Sequence, residues 1–160
     1  MSLKNFSQLH QLNQQLKPLL DELLAILEQE HQHLVAQATE DLLATTAVKQ
    51  QLTEQINDVD QQRGQLLQQL GVQNNKHELD ELAATAGQQI DGFAENWQQI
   101  ELLITQCADR NQVNGIILGN NRRNVETRLS ILRGQPTTTD SYTNTGKKSS
   151  DPDSRSLAHV

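Results

Sequence analysis

Glu28 and His31 stand three residues apart, a spacing that points both side chains at one face of a helix. A carboxylate-bridged di-iron site uses two Glu-x-x-His pairs from different helices plus two further inward Glu. No second helical stretch of this chain carries a copy, so no metal ligands are expected. A histidine phosphotransfer domain would place its reactive His just ahead of a Lys-Gly pair. Here His33 is followed by Leu34-Val35-Ala36-Gln37. His10, His31, His33 and His77 therefore read as solvated residues on helix surfaces. Cys107 is the single cysteine, which excludes an internal disulfide and a thiolate zinc site and suits a reducing compartment. It falls on an apolar stripe, where a buried structural thiol is expected rather than a nucleophile. No strand pattern precedes a Gly-rich phosphate loop. The sequence thus predicts no catalytic residue, no cofactor-binding residue and no metal site, and its chemistry must lie in surfaces.

The elements that carry those surfaces are helical. The 160 residues include 24 Leu and 23 Gln but only four aromatics, Phe6, Phe93, Trp97 and Tyr142. Leu and Gln favour helix, while strands draw on β-branched and aromatic residues. The expected fold is all-α: an antiparallel up-down bundle, or long helical hairpin, over residues 1–133, with a flexible, mostly disordered tail over 134–160. Leu9, Leu12, Leu16, Leu19, Leu23 and Ile26 alternate spacings of three and four along a first helix, about 6–37, and Leu20, Leu24, Leu27 and Leu34 widen its stripe. Pro18 either kinks that helix or opens a new one. Thr39 reads as the N-cap of a second helix, about 40–70, with Glu40 and Asp41 in its first turn. Its seam is Leu52, Ile56, Val59, Arg63, Leu66 and Leu70, and Gly71 stops it. Such a rod needs a partner helix for its stripe, and a connection at 37–40 is short enough to force a hairpin.

A short helix around 76–86 leads to a third long one, about 91–133. Its seam runs Phe93, Trp97, Ile100, Ile104 and Cys107, then turns largely polar through Asn111, Asn114, Leu118, Asn121, Val125, Arg128 and Leu132. Phe93 and Trp97, one turn apart, are expected in the core. Gly115 and Gly119 flank the apolar cluster Ile116-Ile117-Leu118 and would let a second backbone approach, or the helix bend. No apolar run approaches the roughly 20 residues needed to span a bilayer. The opening MSLKNFSQLHQL lacks the apolar core of a secretory signal, so a cytoplasmic location is expected.

Charge divides the chain unevenly. Residues 1–109 hold 5 Lys/Arg against 16 Asp/Glu, a net −11, while residues 110–133 hold five Arg against Glu126 alone, a net +4. The acidic bulk disfavours general binding to nucleic acid or anionic membranes. The basic stretch coincides with the polar half of the seam and with a second apolar stripe off it. That coincidence makes about 113–142 the candidate partner-binding segment. Val113, Ile117, Val125, Leu129 and Leu132 are the candidate apolar anchors for a partner helix, and Arg122, Arg123 and Arg128 its rim charges. The competing reading makes these apolar residues ordinary core.

Cys107-Ala108-Asp109-Arg110-Asn111-Gln112-Val113-Asn114-Gly115, then Ile116-Ile117-Leu118, the pair Arg122-Arg123 and Leu129-Ser130-Ile131-Leu132-Arg133-Gly134 resemble the flagellar export chaperone family FlgN. The Leu23–Glu30 and Lys49–Leu52 stretches, and Tyr142, Gly146 and Ser154-Arg155-Ser156, are also similar to it. The resemblance implies a cytoplasmic chaperone without enzymatic activity. It would bind the C-terminal segments of the hook–filament junction subunits, FlgK and FlgL, prevent their premature assembly and deliver them to the flagellar export apparatus. The alternatives are a generic helical adaptor or coiled-coil scaffold, and a helical-bundle phosphotransfer or metal-binding module.

Overall fold

A computed structural model of the chain describes residues 3–73 and 75–133. They hold four α-helices: α1 (Leu3–Ala36), α2 (Thr39–Gln69), α3 (Lys76–Gly87) and α4 (Phe93–Leu132). The all-α expectation holds, and among the described residues there is no strand. The chain divides into two compact units, residues 1–120 and 121–160. The tail expected over 134–160 lies outside the described residues.

In the first unit α1 and α2 form an antiparallel hairpin, with Asn13 bonded to Arg63 and, toward the turn, Glu30 bonded to Lys49. α4 runs parallel to α1. Its Phe93 and Trp97 share a core with Phe6, Leu9 and Leu12, whereas Asn114 reaches the Leu27 carbonyl further along. α3 adds Leu82, Ala83 and Ala86 to the same core. Phe93 is fully buried and Trp97 nearly so, their rings stacked at 6.0 Å, as their place on the predicted seam requires.

The hairpin turn is tighter than the sequence suggests. Gln37 takes φ 55°, and Ala38 N–H donates to the His33 carbonyl at 3.0 Å, closing the end of α1 in the left-handed manner usual for glycine. Ala38 then precedes α2 directly, so Thr39 is the first helical residue rather than the N-cap, and no side chain caps this helix. Gln37→Gly should raise stability by roughly 0.5–1 kcal/mol, because Gly carries no Cβ penalty at positive φ. A urea midpoint that stays put or falls would contradict this. At the other end of α2, Gly71 (φ 71°) stops the helix as expected, with Val72 N–H donating to the Leu67 carbonyl.

Pro18 lies inside one continuous α1 and opens no new helix. The Gln14 carbonyl simply lacks its i+4 donor. The buried face of α1 follows the expected seam through Leu9, Leu12 and Leu16 and then shifts to Leu20, Leu27 and Leu34 of the wider stripe. Phe6, Leu9, Asn13, Leu16, Leu20, Leu27, Glu30 and Leu34 are buried, while Leu19, Leu23 and Ile26 are only half-buried. Two polar residues sit on this stripe because side chains of other helices engage them, a signal that apolar periodicity does not carry. On α4, likewise, Leu103 rather than Ile104 is buried, and Asn111 and Leu118 of the predicted seam are exposed. The α2 seam stands as read, with Leu52, Arg63 and Leu66 buried and Ile56, Val59 and Leu70 half-buried.

Candidate partner-binding surface

The polar half of the α4 seam meets a polar layer on its neighbours. Glu30 of α1, 7% exposed, accepts from Lys49 Nζ of α2 at 2.8 and 3.1 Å and from Asn114 Nδ2 of α4 at 2.8 Å. The same Asn114 amide donates to the Leu27 carbonyl, and its Oδ1 lies 3.1 Å from His31 Nδ1. Lys49 Nζ also donates to Asn111 Oδ1 at 3.0 Å. Three helices are thereby tied together at one level, and buried polar groups are tolerated because they are bonded. Of the asparagines in the Asn111–Gly115 run, Asn114 is a buried brace and Asn111 an exposed one.

The histidines follow from this packing and are less solvated than expected. His31 meets Asn114, His33 Nδ1 lies 2.9 Å from Thr45 Oγ1, and the His10 ring lies tilted against Phe93 with centroids 5.7 Å apart. Only His77, paired loosely with Glu81 at 3.6 Å, matches the solvated reading. Glu28 is engaged elsewhere, with Arg110 Nε at 2.8 Å. Cys107 is buried with Sγ 3.6 Å from the Leu20 carbonyl, and burial, aided by the Asp21 charge, pushes its thiol pKa up and away from the reactive thiolate.

Beside the Glu28–Arg110 pair, α1 and α4 flank a groove of about 740 Å³ whose apolar residues are Leu24, Ala25 and Val113. Val113 is 42% exposed, and Ile116 and Leu118 more so, while Ile117 is half-buried. A Cβ at Gly115 or Gly119 would meet nothing within 4 Å. α4 is continuous through both glycines, and no second backbone of the described residues approaches them.

In the second unit, residues 121–132 continue as helix. Val125, Leu129 and Leu132 recur at spacings of four and three, which places them on one face. They are 56%, 42% and 82% exposed. Arg123 and Arg128 are exposed, and Arg122 donates to Glu126 at 2.8 Å, a pairing that raises its already high pKa. Of the five candidate anchors, Val113, Val125, Leu129 and Leu132 are exposed and Ile117 is half-buried.

A family model described as "FlgN protein" matches residues 1–150. The chain belongs to the FlgN family. This is a family of flagellar export chaperones, not one of enzymes, and the all-helical fold suits it. No curated protein and no solved structure matches the chain. Among the described residues, no helix of this FlgN-family chain is long and apolar enough to cross a membrane.

Sequence reasoning missed the Glu30–Lys49–Asn114 layer and the Leu24–Ala25–Val113 groove. Part of the layer was visible as the polar turn of the α4 seam. Its acidic member was not, because Glu30 falls on the next step of the Leu9–Ile26 ladder but a carboxylate is not counted on an apolar stripe.

Proposed function

We propose that this FlgN-family chain is a cytoplasmic chaperone for the hook–filament junction subunits FlgK and FlgL. It holds their C-terminal segments, keeps them from assembling early and hands them to the flagellar export apparatus. One observation carries the reading: a chain of an export-chaperone family exposes large apolar side chains along α4, Val113 and Val125 to Leu132 among them. Apolar area left in water marks a surface that another molecule covers, and an amphipathic segment fits it at i, i+3/i+4 spacing. The partner-binding segment is about 113–142. Val113, Ile117, Val125, Leu129 and Leu132 anchor the apolar face of the bound segment. Arg122, Arg123 and Arg128 orient it and speed its association more than they tighten it.

Leu129→Asp tests this directly. The side chain is 42% exposed, so thermal unfolding of the isolated chaperone should change by no more than about 0.5 kcal/mol. Complex formation with a C-terminal fragment of FlgK or FlgL, followed by size-exclusion chromatography and calorimetry, should fall at least about tenfold, or roughly 1.4 kcal/mol. Normal binding by the mutant, or unfolding of the chaperone, would move the binding face elsewhere.

A further inference from the structure

Val113, Ile117, Asn121, Val125 and Leu129 follow one another along α4 at a constant spacing of four. Such a row forms one ridge on a helix, and interdigitation of two i±4 ridges is the commonest mode of helix packing. Four of the five are apolar, yet Val113, Val125 and Leu129 are exposed. Charge indicates what covers them. Residues 1–109 carry a net −11, which Arg110 reduces to −10 for residues 1–120. Residues 121–133 hold Arg122, Arg123, Arg128 and Arg133 against Glu126 alone, a net +3. The groove beside Val113 repeats the acidic bias locally, with Asp21, Glu28 and Asp109 against Arg110. Lys17 holds Asp21 and Arg110 holds Glu28, while Asp109 makes no ion pair among the described residues. A basic helical segment with an apolar row suits this groove, and the chain carries one in residues 121–133. Within one chain that segment lies on the same continuous helix as Val113, with Leu129 about 24 Å further along at ~1.5 Å per residue. It cannot turn back into its own groove. A second copy can fill it.

We propose that the chain pairs with a second copy of itself through antiparallel α4 helices, the 121–133 stretch of each copy lying in the α1–α4 groove of the other. In an antiparallel pair the numbers of opposed residues have a constant sum. Setting Leu129 of one copy on Val113 of the other therefore sets Val125 on Ile117, brings Asn121 to the two-fold crossing and faces Arg133 with Asp109. Apolar meets apolar and base meets acid in a single register. Two-fold symmetry makes each contact twice and closes the assembly at two copies. The opposite charges of the two surfaces also steer their encounter. The pairing is a property of this chain alone and does not rest on FlgK or FlgL being its partners.

Sedimentation velocity of the purified full-length chain, with no other protein present, should show a concentration-dependent dimer. Its Kd should be on the order of 10–100 µM, as a small interface rimmed by exposed charges gives. Asp109→Arg and Arg133→Asp should each weaken the dimer at least about fivefold, because each reversal breaks a contact made twice. Combined, the two reversals should bring the Kd back to within about twofold of the native value, since the pair is restored with its signs exchanged. Both residues are exposed, so the variants should keep the native helical circular dichroism. In a Cys107→Ala background, Asn121→Cys should form a disulfide-linked dimer under oxidised glutathione. Arg123→Cys, about 200° round α4 from residue 121, should not. A chain that stays monomeric at about 1 mM overturns the pairing and leaves the groove to a partner of different sequence. A dimer indifferent to both charge reversals, or one that the combined variant fails to recover, overturns this register, as does an Asn121→Cys dimer that does not cross-link. Open polymers in place of a dimer overturn the two-fold arrangement.

Discussion

Trp97→Ala should cost about 3–5 kcal/mol of folding stability, and lower the thermal midpoint by something of the order of 10–20 °C. Trp97 is 4% exposed, stacked on Phe93, and lies beneath the Arg63 guanidinium, which is 5.3 Å from its ring centroid. Truncation opens a cavity among α1, α2, α3 and α4 side chains of one core. It also removes the aromatic face from a buried cation. Arg63 tolerates that position because Asp60 at 2.7 Å and Asn13 at 2.9 Å engage it while burial pulls its pKa down. Trp97→Phe separates the contributions. The indole N–H has no hydrogen-bond partner, so the smaller ring should recover most of the loss. Thermal melts followed by far-ultraviolet circular dichroism measure both, since the mutants lack the only tryptophan. A Trp97→Ala protein of native stability that failed to bind its partner would instead place Trp97 in the binding site.

Lys49→Met should be the second costly change, at about 2–4 kcal/mol. Breaking a buried ion pair strands the remaining charge, and the penalty is largest when that charge is well buried. The Glu30 side chain is 9% exposed and Lys49 26%, so the lower part of the usual range applies. After the substitution Glu30 keeps only the Asn114 amide of its three bonds. Glu30→Gln should cost less than Lys49→Met, because it removes the charge while retaining an acceptor for Asn114. Urea unfolding of the two variants side by side tests the ordering. If Lys49→Met proves no worse than a typical exposed ion-pair deletion, under about 1 kcal/mol, the pair is solvated in solution and the layer is weaker than its geometry indicates.

Much of the architecture was legible because it rests on local periodicity. Leu52, Arg63 and Leu66 repeat at the helical period, Gly71 supplies the positive φ that ends α2, and Phe93 and Trp97 fall one turn apart on an apolar stripe. Those features depend on the chain's own φ/ψ preferences and on the need to hide apolar area, and neither requires knowledge of the neighbour. The family resemblance likewise ran through a contiguous stretch, Cys107 to Gly134.

The sequence by itself determined that this protein is made of long amphipathic helices, where they start and stop to within a few residues, and that its α4 seam turns polar. Only the tertiary structure decided which polar side chains complete the buried faces of α1 and α4. Asn13 looks like a surface residue in a one-dimensional pattern, while Glu30 and Asn114 occupy seam positions whose partners the pattern does not name. Each is buried because a partner distant in sequence, Arg63, Lys49 or the Leu27 carbonyl, satisfies it. A hydrogen bond between different helices, 19 to 87 residues apart in these cases, leaves no trace in periodicity. Such bonds let a polar side chain occupy a buried position that the apolar packing of its helix already turns inward.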